Sequence, residues 1–200
     1  MKFRKSMILI CALALFGLGV GLLDNLTNTQ TEDVLNVLAP VSSKVGTTQK
    51  NYLLETFIAP VSDDVSIVRY FYEVQSTNNQ EALDYFEGIY RKSEGVDYGL
   101  EEEFEVMASL SGTVSEVKND SILGSCVTID CENGFQLIYQ SLSNVGVEKG
   151  QSIAQGDLIG HSGYNIYEAE LGNHVHFTVL KDGNALNPLS IINKQLKEIE

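Results

Sequence analysis

The sequence is poor in basic residues, and this shortage narrows the classes of partner that it can have. Its 13 Lys and Arg residues stand against 27 Asp and Glu residues, so the formal net charge is −14 and the pI is about 4.5. Three of the basic residues fall within the first five positions, which leaves the rest of the chain still more acidic. Nucleic acid and anionic membrane surfaces would repel such a chain. We therefore expect partners that are neutral, basic or matched patch by patch.

Cysteine is also scarce. The chain has three cysteines, which are too few for a disulfide framework. Cys11 lies in an apolar N-terminal run, and Cys126 and Cys131 lie in one predicted strand. Five residues of strand span roughly 16 Å and leave these two side chains on opposite faces, so they cannot bond to each other. We interpret both as packing residues.

One long apolar run is present, at the N-terminus. Residues 7–23 (MILICALALFGLGVGLL) carry no charge and follow a short segment, 1–6, that is rich in Lys and Arg. At about 1.5 Å per residue the run is just long enough to span a membrane, with the basic flank as a cytoplasmic tail. A cleaved signal peptide is the alternative. The small-x-small site at 12–14 lies in the middle of the run, which favours an uncleaved transmembrane anchor.

Composition divides the remaining chain into a stalk and a folded domain. Residues 24–56 are rich in Thr, Asn, Gln and Ser, and predict a loosely structured polar stalk. Residues 57–200 contain many short β-favouring runs separated by Gly-rich turns, which is typical of a β-barrel or β-sandwich. Apolar residues at helical spacing predict one short helix within residues 78–90. The Asn-Gly pair at 133–134 predicts a β-hairpin.

Two histidines form the strongest candidate site. His174 and His176 lie in GNHVHFTV, a run of apolar and β-favouring residues. Side chains alternate faces along a strand, so both imidazoles would point the same way and supply half of a zinc site. The alternative is an exposed strand, in which the histidines face solvent while Val175 and Phe177 face inward.

Several spaced motifs carry a family resemblance. The order GVD, LSGTV, VEKGQSIAQGDLIGHSG and GNHVHFTVLKDGNALNP resembles the lysostaphin-like zinc endopeptidases of the LytM fold, over about residues 90–190. The resemblance implies a mainly β domain. In that family, zinc is held by the His and Asp of a His-x-Gly-x-Asp stretch and by the second His of a His-x-His pair. The family cleaves peptide bridges in peptidoglycan.

Carried over to this chain, the zinc set is incomplete. Asp97 and His176 match two ligands, whereas Ser93 stands where the first histidine ligand is expected. A serine hydroxyl is a poor zinc ligand, and a catalytic zinc needs three protein ligands. His161 lies in a Gly-His-Ser-Gly turn where the family has no ligand, so it is a poor replacement. We expect no cofactor, with zinc bound weakly at best.

The catalytic histidines are also incomplete. The resemblance assigns one to the first position of the His-x-His pair, which is His174, and another to a Tyr-x-His-Leu stretch, where this chain has Ser141. Serine cannot act as an acid, a base or a charged stabiliser near neutral pH as imidazole does. Asp97, His174 and His176 are therefore interpreted as vestigial, and no residue is expected to be catalytic.

The altered motifs are similar to those of a sporulation subgroup of the fold, the stage II sporulation protein Q family of endospore-forming bacteria. The N-terminal anchor, SEGVD, SLSGTV, YQSLS and GNHVHF carry this resemblance, which covers most of the chain. It implies a non-catalytic, single-pass protein of the inner forespore membrane, with its C-terminal domain in the intermembrane space. The implied partner is stage III sporulation protein AH of the mother cell, with which it would build a channel complex for engulfment and feeding.

Two classes of function stay open. One is a membrane-anchored binding module on a degenerate peptidase fold, and the other is a peptidoglycan hydrolase or an activator of one; peptidoglycan binding is compatible with both. The partner surface carries no motif, but Tyr164, Ile166 and Tyr167 lie in a loop outside any strand pattern. Aromatic residues are common in interface hot spots. The alternative is that these side chains pack over the vestigial groove.

Overall fold

The computed structural model describes residues 54–74, 77 and 79–199. The predicted cytoplasmic tail, the anchor at 7–23 and the stalk as far as residue 53 lie outside the described residues. In the described ranges, no helix is both long enough and apolar enough to cross a membrane. The last residues assigned to the stalk already make contacts of the domain, because the Glu55 carboxylate accepts hydrogen bonds from the backbone N and the hydroxyl of Ser111.

The described part of the chain is built mainly from β-strands, as predicted. The strands are β1 (Ser66–Arg69), β2 (Leu83–Phe86), β3 (Ile89–Lys92), β4 (Val96–Gly99), β5 (Glu105–Met107), β6 (Gly112–Asp120), β7 (Gly124–Cys131), β8 (Phe135–Ser143), β9 (Ser152–Ile153), β10 (Leu158–Ser162), β11 (His174–Lys181) and β12 (Asn184–Leu186). The helical turns are α1 (Pro188–Ile191) and the 3₁₀ turns Asn79–Ala82, Glu132–Gly134, Ala169–Leu171 and Leu196–Glu198. A ten-stranded antiparallel sheet has the central order β1-β4-β11-β8-β7-β6-β9, and β2 pairs with β3 separately.

The core lies against the inner face of this sheet. Along β8, inward residues are buried and alternate with partly exposed ones, as a strand with one covered face requires. The Phe177 ring on β11 is fully buried, with its centroid 5.0 Å from that of Tyr139 and 6.3 Å from that of Phe57. Phe57 follows the predicted stalk, so the folded core extends to the start of the domain.

The helix predicted within residues 78–90 is wrong. One 3₁₀ turn, Asn79–Ala82, is followed by the β2–β3 hairpin, in which Phe86 pairs with Ile89. Glu87 and Gly88 form its two-residue turn, with φ angles of 50° and 84°. Such a turn matches the twist of paired strands. The apolar spacing interpreted as helical is also compatible with alternation, which here places Tyr85 and Tyr90 opposite each other with ring centroids 4.8 Å apart.

The Asn-Gly hairpin prediction is confirmed. Asn133 and Gly134 adopt φ angles of 58° and 72° between β7 and β8. Cys126 and Cys131 are both free thiols, as the strand geometry predicts. Cys131 packs against the core, and burial raises the pKa of its thiol to about 12.

Candidate functional site

Strand register brings the motif residues together. His176 on β11 lies directly opposite Asp97 on β4 and, on its other side, opposite Gln140 on β8. His174 is fully buried and His176 is only 8% exposed, so the alternative of a solvent-facing histidine pair is wrong. Both rings contact Glu168, which confirms that the two side chains share one face of the strand.

The His176 ring is hydrogen-bonded at both nitrogens. Nδ1 lies 2.8 Å from Asp97 Oδ1, and Nε2 lies 3.2 Å from Thr178 Oγ1. Burial alone would lower the pKa of His176, but the Asp97 charge and the hydrogen bonds to Asp97 and Glu168 outweigh it and raise the pKa well above its ordinary value. The proton on Nδ1 therefore joins two residues that match zinc ligands.

His174 is also hydrogen-bonded at both ring nitrogens. Its Nδ1 donates to the Gly172 carbonyl at 2.9 Å, and Nε2 lies 3.2 Å from Glu168 Oε2. Burial would lower the pKa of His174, yet the hydrogen bond to Glu168 and that to Gly172 raise it. Acceptors at both ring nitrogens stabilise the imidazolium form.

Glu168 is the common partner of both histidines, and sequence reasoning missed it. It is 1% exposed, and its Oε2 accepts a hydrogen bond from Asn165 Nδ2 at 2.9 Å. Burial would raise the pKa of Glu168, but the hydrogen bonds from His174 and His176 hold it well below its ordinary value. The sequence signal is weak: an acidic residue in an aromatic loop, three positions after an Asn whose side chain accepts from the Glu168 backbone N.

Arg69 is the second missed residue, and it lies within a group of carboxylates. It is 6% exposed, and its Nη1 lies 3.1 Å from Glu168 Oε1 and 3.2 Å from Asp84 Oδ1. Nη1 also lies 3.9 Å from Asp97 Oδ2, and Nη2 lies 2.6 Å from Glu170 Oε1. Burial is the main reason that the pKa of Asp84 rises to about 6. An isolated Arg in a β-favouring run is the only sequence signal for this ion cluster.

The two serines at the positions where the resemblance expects histidines are buried. Ser93 Oγ donates to the Gly95 carbonyl at 3.1 Å, and a Cβ on Gly95 would lie 2.6 Å from His176 Nε2. Ser93 therefore lies two residues from a glycine that touches the His176 ring. Ser141 adopts a φ of 63°, and its hydroxyl finds no hydrogen-bond partner among the described residues.

An open groove with a volume of about 680 Å³ runs past His176. Tyr167 lines it and packs on Phe86, with ring centroids 5.1 Å apart. Tyr164 and Ile166 are instead 69% and 62% exposed. The loop thus divides, since one side chain covers the groove and two face solvent.

Comparison with known proteins places this geometry in a family. Peptidase family M23 matches residues 91–188, which contain both serines, Asp97 and the two histidines. Stage II sporulation protein Q of Bacillus subtilis (strain 168) is 40% identical over 153 residues, which are 74% of this chain and 54% of that protein. A chain solved in a SpoIIQ–SpoIIIAH pore-forming complex is 40% identical, with a TM-score of 0.70 over 73% of this chain and 96% of that one. The chain belongs to the stage II sporulation protein Q family.

Family membership confirms the resemblance carried by SEGVD, YQSLS and GNHVHF. A zinc containing peptidase from Vibrio cholerae has a TM-score of 0.57 at 21% identity, over 68% of this chain and 40% of that one, and so shares the fold. The predicted LytM-like fold is thereby confirmed. The chain spans about half the length of the Bacillus subtilis relative.

The residues at the zinc-ligand positions do not fit the metal that the fold implies. Ser93 Oγ is turned to the Gly95 carbonyl. His176 Nδ1 and Asp97 Oδ1 are 2.8 Å apart, whereas two ligand atoms at about 2.0–2.1 Å from a tetrahedral zinc are separated by roughly 3.3 Å. His161 lies on β10, where the strand register sets it opposite Glu105 of β5 and Ser143 of β8. Among the described residues, the donor atoms within 4.8 Å of one another belong to Asp97, Glu168 and His174, a set without His161.

The histidine cluster predicts a pH-dependent stability. The folded-state pKa of His176 is raised, so its contribution is fully present below the unfolded pKa of about 6.5 and is lost as pH rises through the folded value. The advantage of the parent over His176→Asn should therefore shrink by more than about 1 kcal/mol between pH 6 and pH 9. The pKa of Glu168 is lowered, so its titration changes stability only at acid pH. The pKa of Asp84 is about 6, so its titration changes stability mainly below pH 6.

Denaturant unfolding of both proteins at the two pH values measures this advantage. His161→Asn, which alters a histidine outside the cluster, controls for the general effect of pH on the fold. An equal advantage of the parent over His176→Asn at both pH values would contradict the assignment of the charge to His176.

Proposed function

We propose that the chain is a non-catalytic binding module that pairs with the SpoIIIAH protein of the mother cell. The main supporting observation is the 40% identity to a chain solved in a SpoIIQ–SpoIIIAH complex. The match covers 96% of that solved chain. The apolar segment at 7–23 anchors the module in the inner forespore membrane, with residues 1–6 in the cytoplasm. The stalk then carries the domain from about residue 57 into the intermembrane space, where the two proteins form a channel complex.

The lack of catalysis follows from chemistry at two positions. Ser93 supplies no imidazole to a metal, so no bound water is activated as a nucleophile at neutral pH. Ser141 supplies no acid, base or cationic stabiliser to the groove. Asp97, His174 and His176 are remnants of the peptidase site, and their buried hydrogen bonds now stabilise the domain.

A binding measurement tests the proposal directly. The full chain in detergent is titrated with the extracytoplasmic domain of the SpoIIIAH protein from the same organism, and saturable 1:1 binding is expected. Absence of binding at micromolar concentrations would contradict the proposal.

The alternative, a peptidoglycan hydrolase or an activator of one, has its own test. Purified chain is incubated with cell walls in the presence of zinc, alone and together with a cell-wall amidase. We expect no clearing by the chain and no acceleration of the amidase. Clearing that is lost in Asp97→Asn would establish the hydrolase instead, and faster clearing by the amidase would establish the activator.

The loop at 164–167 is the proposed partner contact. Tyr164 and Ile166 are exposed, and truncating two apolar hot-spot side chains should weaken SpoIIIAH binding at least 10-fold, or about 1.4 kcal/mol. The double variant Tyr164→Ala/Ile166→Ala is compared with Tyr85→Ala/Tyr90→Ala, which removes two exposed aromatic side chains from the β2–β3 hairpin. Equal affinities of parent and loop variant would place the contact elsewhere. Tyr167→Ala distinguishes packing over the groove from partner contact, because it should lower the stability of the domain more than its affinity for SpoIIIAH.

A further inference from the structure

The guanidinium of Arg69 supplies positive charge beside Asp97, the residue that matches a zinc ligand of the peptidases. Four carboxylates approach this one buried side chain: those of Asp84, Asp97, Glu168 and Glu170. Buried carboxylates need a nearby cation or they become protonated. In a metal site the ion itself is the largest local charge. In this chain, the planar fork of an arginine reaches several carboxylates at once, which a point-like ammonium cannot do.

The groups around Arg69 nevertheless include three metal-donor side chains. Asp97, Glu168 and His174 each offer one atom, and these atoms lie within 4.8 Å of one another. All three side chains are buried. Asp97 Oδ2 makes no hydrogen bond with any described residue, and its neighbour Arg69 Nη1 is 3.9 Å away. An imidazole with two carboxylates suits Zn²⁺ and related divalent ions.

We propose that Asp97, Glu168 and His174 form a latent divalent-cation site, which the guanidinium of Arg69 keeps closed. This set differs from the family's zinc set, because Glu168 lies outside both zinc motifs and His174 matches a catalytic position. Arg69 closes the site in two ways. It engages Glu168 Oε1 at 3.1 Å, and its fixed charge repels a divalent ion a few ångströms away. Arginine stays protonated in proteins, so the closure holds at any physiological pH.

Replacing Arg69 with methionine is the direct test. Methionine keeps an unbranched apolar stem but removes the charge and the donors. Zinc titration of the full chain in detergent, by calorimetry, should show one zinc per chain in Arg69→Met, bound at least about 100-fold more tightly than by the parent. Arg69→Lys retains a cation and should gain less than the methionine variant.

Two controls assign the gain to this site. Arg91→Met removes an exposed arginine from β3 and should bind zinc as the parent does. Arg69→Met/Glu168→Gln removes the proposed ligand and should lose the gained affinity. Zinc binding by Arg69→Met that is no tighter than in the parent would overturn the proposal. Firm stoichiometric binding by the parent that disappears in Glu168→Gln would overturn it as well.

The test stays decisive if Arg69→Met is poorly folded without metal. Removal of the guanidinium takes away one of the cations beside these carboxylates, and a bound divalent ion would replace it. Ligand binding to the folded state raises the melting temperature. Added zinc should therefore restore or raise the thermal transition of Arg69→Met and leave that of Arg69→Met/Glu168→Gln unchanged. A transition of Arg69→Met that does not respond to zinc would overturn the proposal.

Discussion

Replacing Gly95 with alanine is expected to lower the free energy of unfolding by about 3 kcal/mol. The added Cβ would lie 2.6 Å from His176 Nε2, 2.7 Å from the Phe177 carbonyl oxygen and 2.8 Å from Thr178 Oγ1. Two of these atoms belong to buried residues of the central strand β11, so they cannot move aside without disturbing the sheet. The glycine of the SEGVD motif is thus required by close packing of β11 against the turn that precedes β4.

Denaturant unfolding of Gly95→Ala measures this loss, and Gly146→Ala is the matched control. At Gly146 the nearest atom to an added Cβ is the Ile159 carbonyl oxygen, 3.9 Å away, which is an ordinary contact. Gly146→Ala should therefore be close to neutral. Equal stability of the two variants would show that β11 can move away from Gly95. Shifted imidazole signals of His176 in Gly95→Ala would locate the clash independently.

Replacing Phe177 with alanine should remove about 3–5 kcal/mol of stability. The ring is fully buried between Tyr139 and Phe57, so truncation leaves a cavity that the strands on both sides cannot close. Phe177 also lies next to His176 in β11. The same change should therefore loosen the Asp97–His176 hydrogen bond as well as the core.

A matched pair of variants separates cavity formation from loss of an aromatic ring. Phe177→Leu keeps most of the volume and should lose less than about 1.5 kcal/mol, whereas Tyr85→Ala removes a half-exposed ring and should lose less than Phe177→Ala. Urea unfolding of the three proteins gives the comparison. A loss below about 2 kcal/mol in Phe177→Ala would mean that the core collapses into the space.

Local sequence signals were sufficient for some parts of the fold. The alternation around His174 and His176 predicted their shared face, and Asn133-Gly134 predicted its hairpin, because both signals depend on neighbours along the chain. The β2–β3 hairpin was missed because the spacing of its apolar residues fits both a helix and a strand. The turn at Glu87-Gly88 decides between them, and it carries a weaker signal than Asn-Gly.

The chemistry of the site depends on contacts that local patterns do not contain. Arg69 and Glu168 are 99 positions apart, yet their side chains meet at 3.1 Å. Neither residue lies in a zinc motif, so the sequence indicated which ligands were altered but not the ion cluster around them. A buried arginine becomes visible only when the register of β1 against β4 places Arg69 opposite Asp97.

The first and last described segments of the domain are fastened to each other, which has a mechanical consequence. Thr56 forms a β-bridge with Gln195, and the Phe57 backbone exchanges hydrogen bonds with Asn193 and Lys194 at 2.8 Å. Tension applied to the chain ahead of Leu54 therefore loads this short clasp before it reaches the sheet. Under such tension we expect the hydrogen bonds between these two segments to break first, while the histidine cluster stays intact.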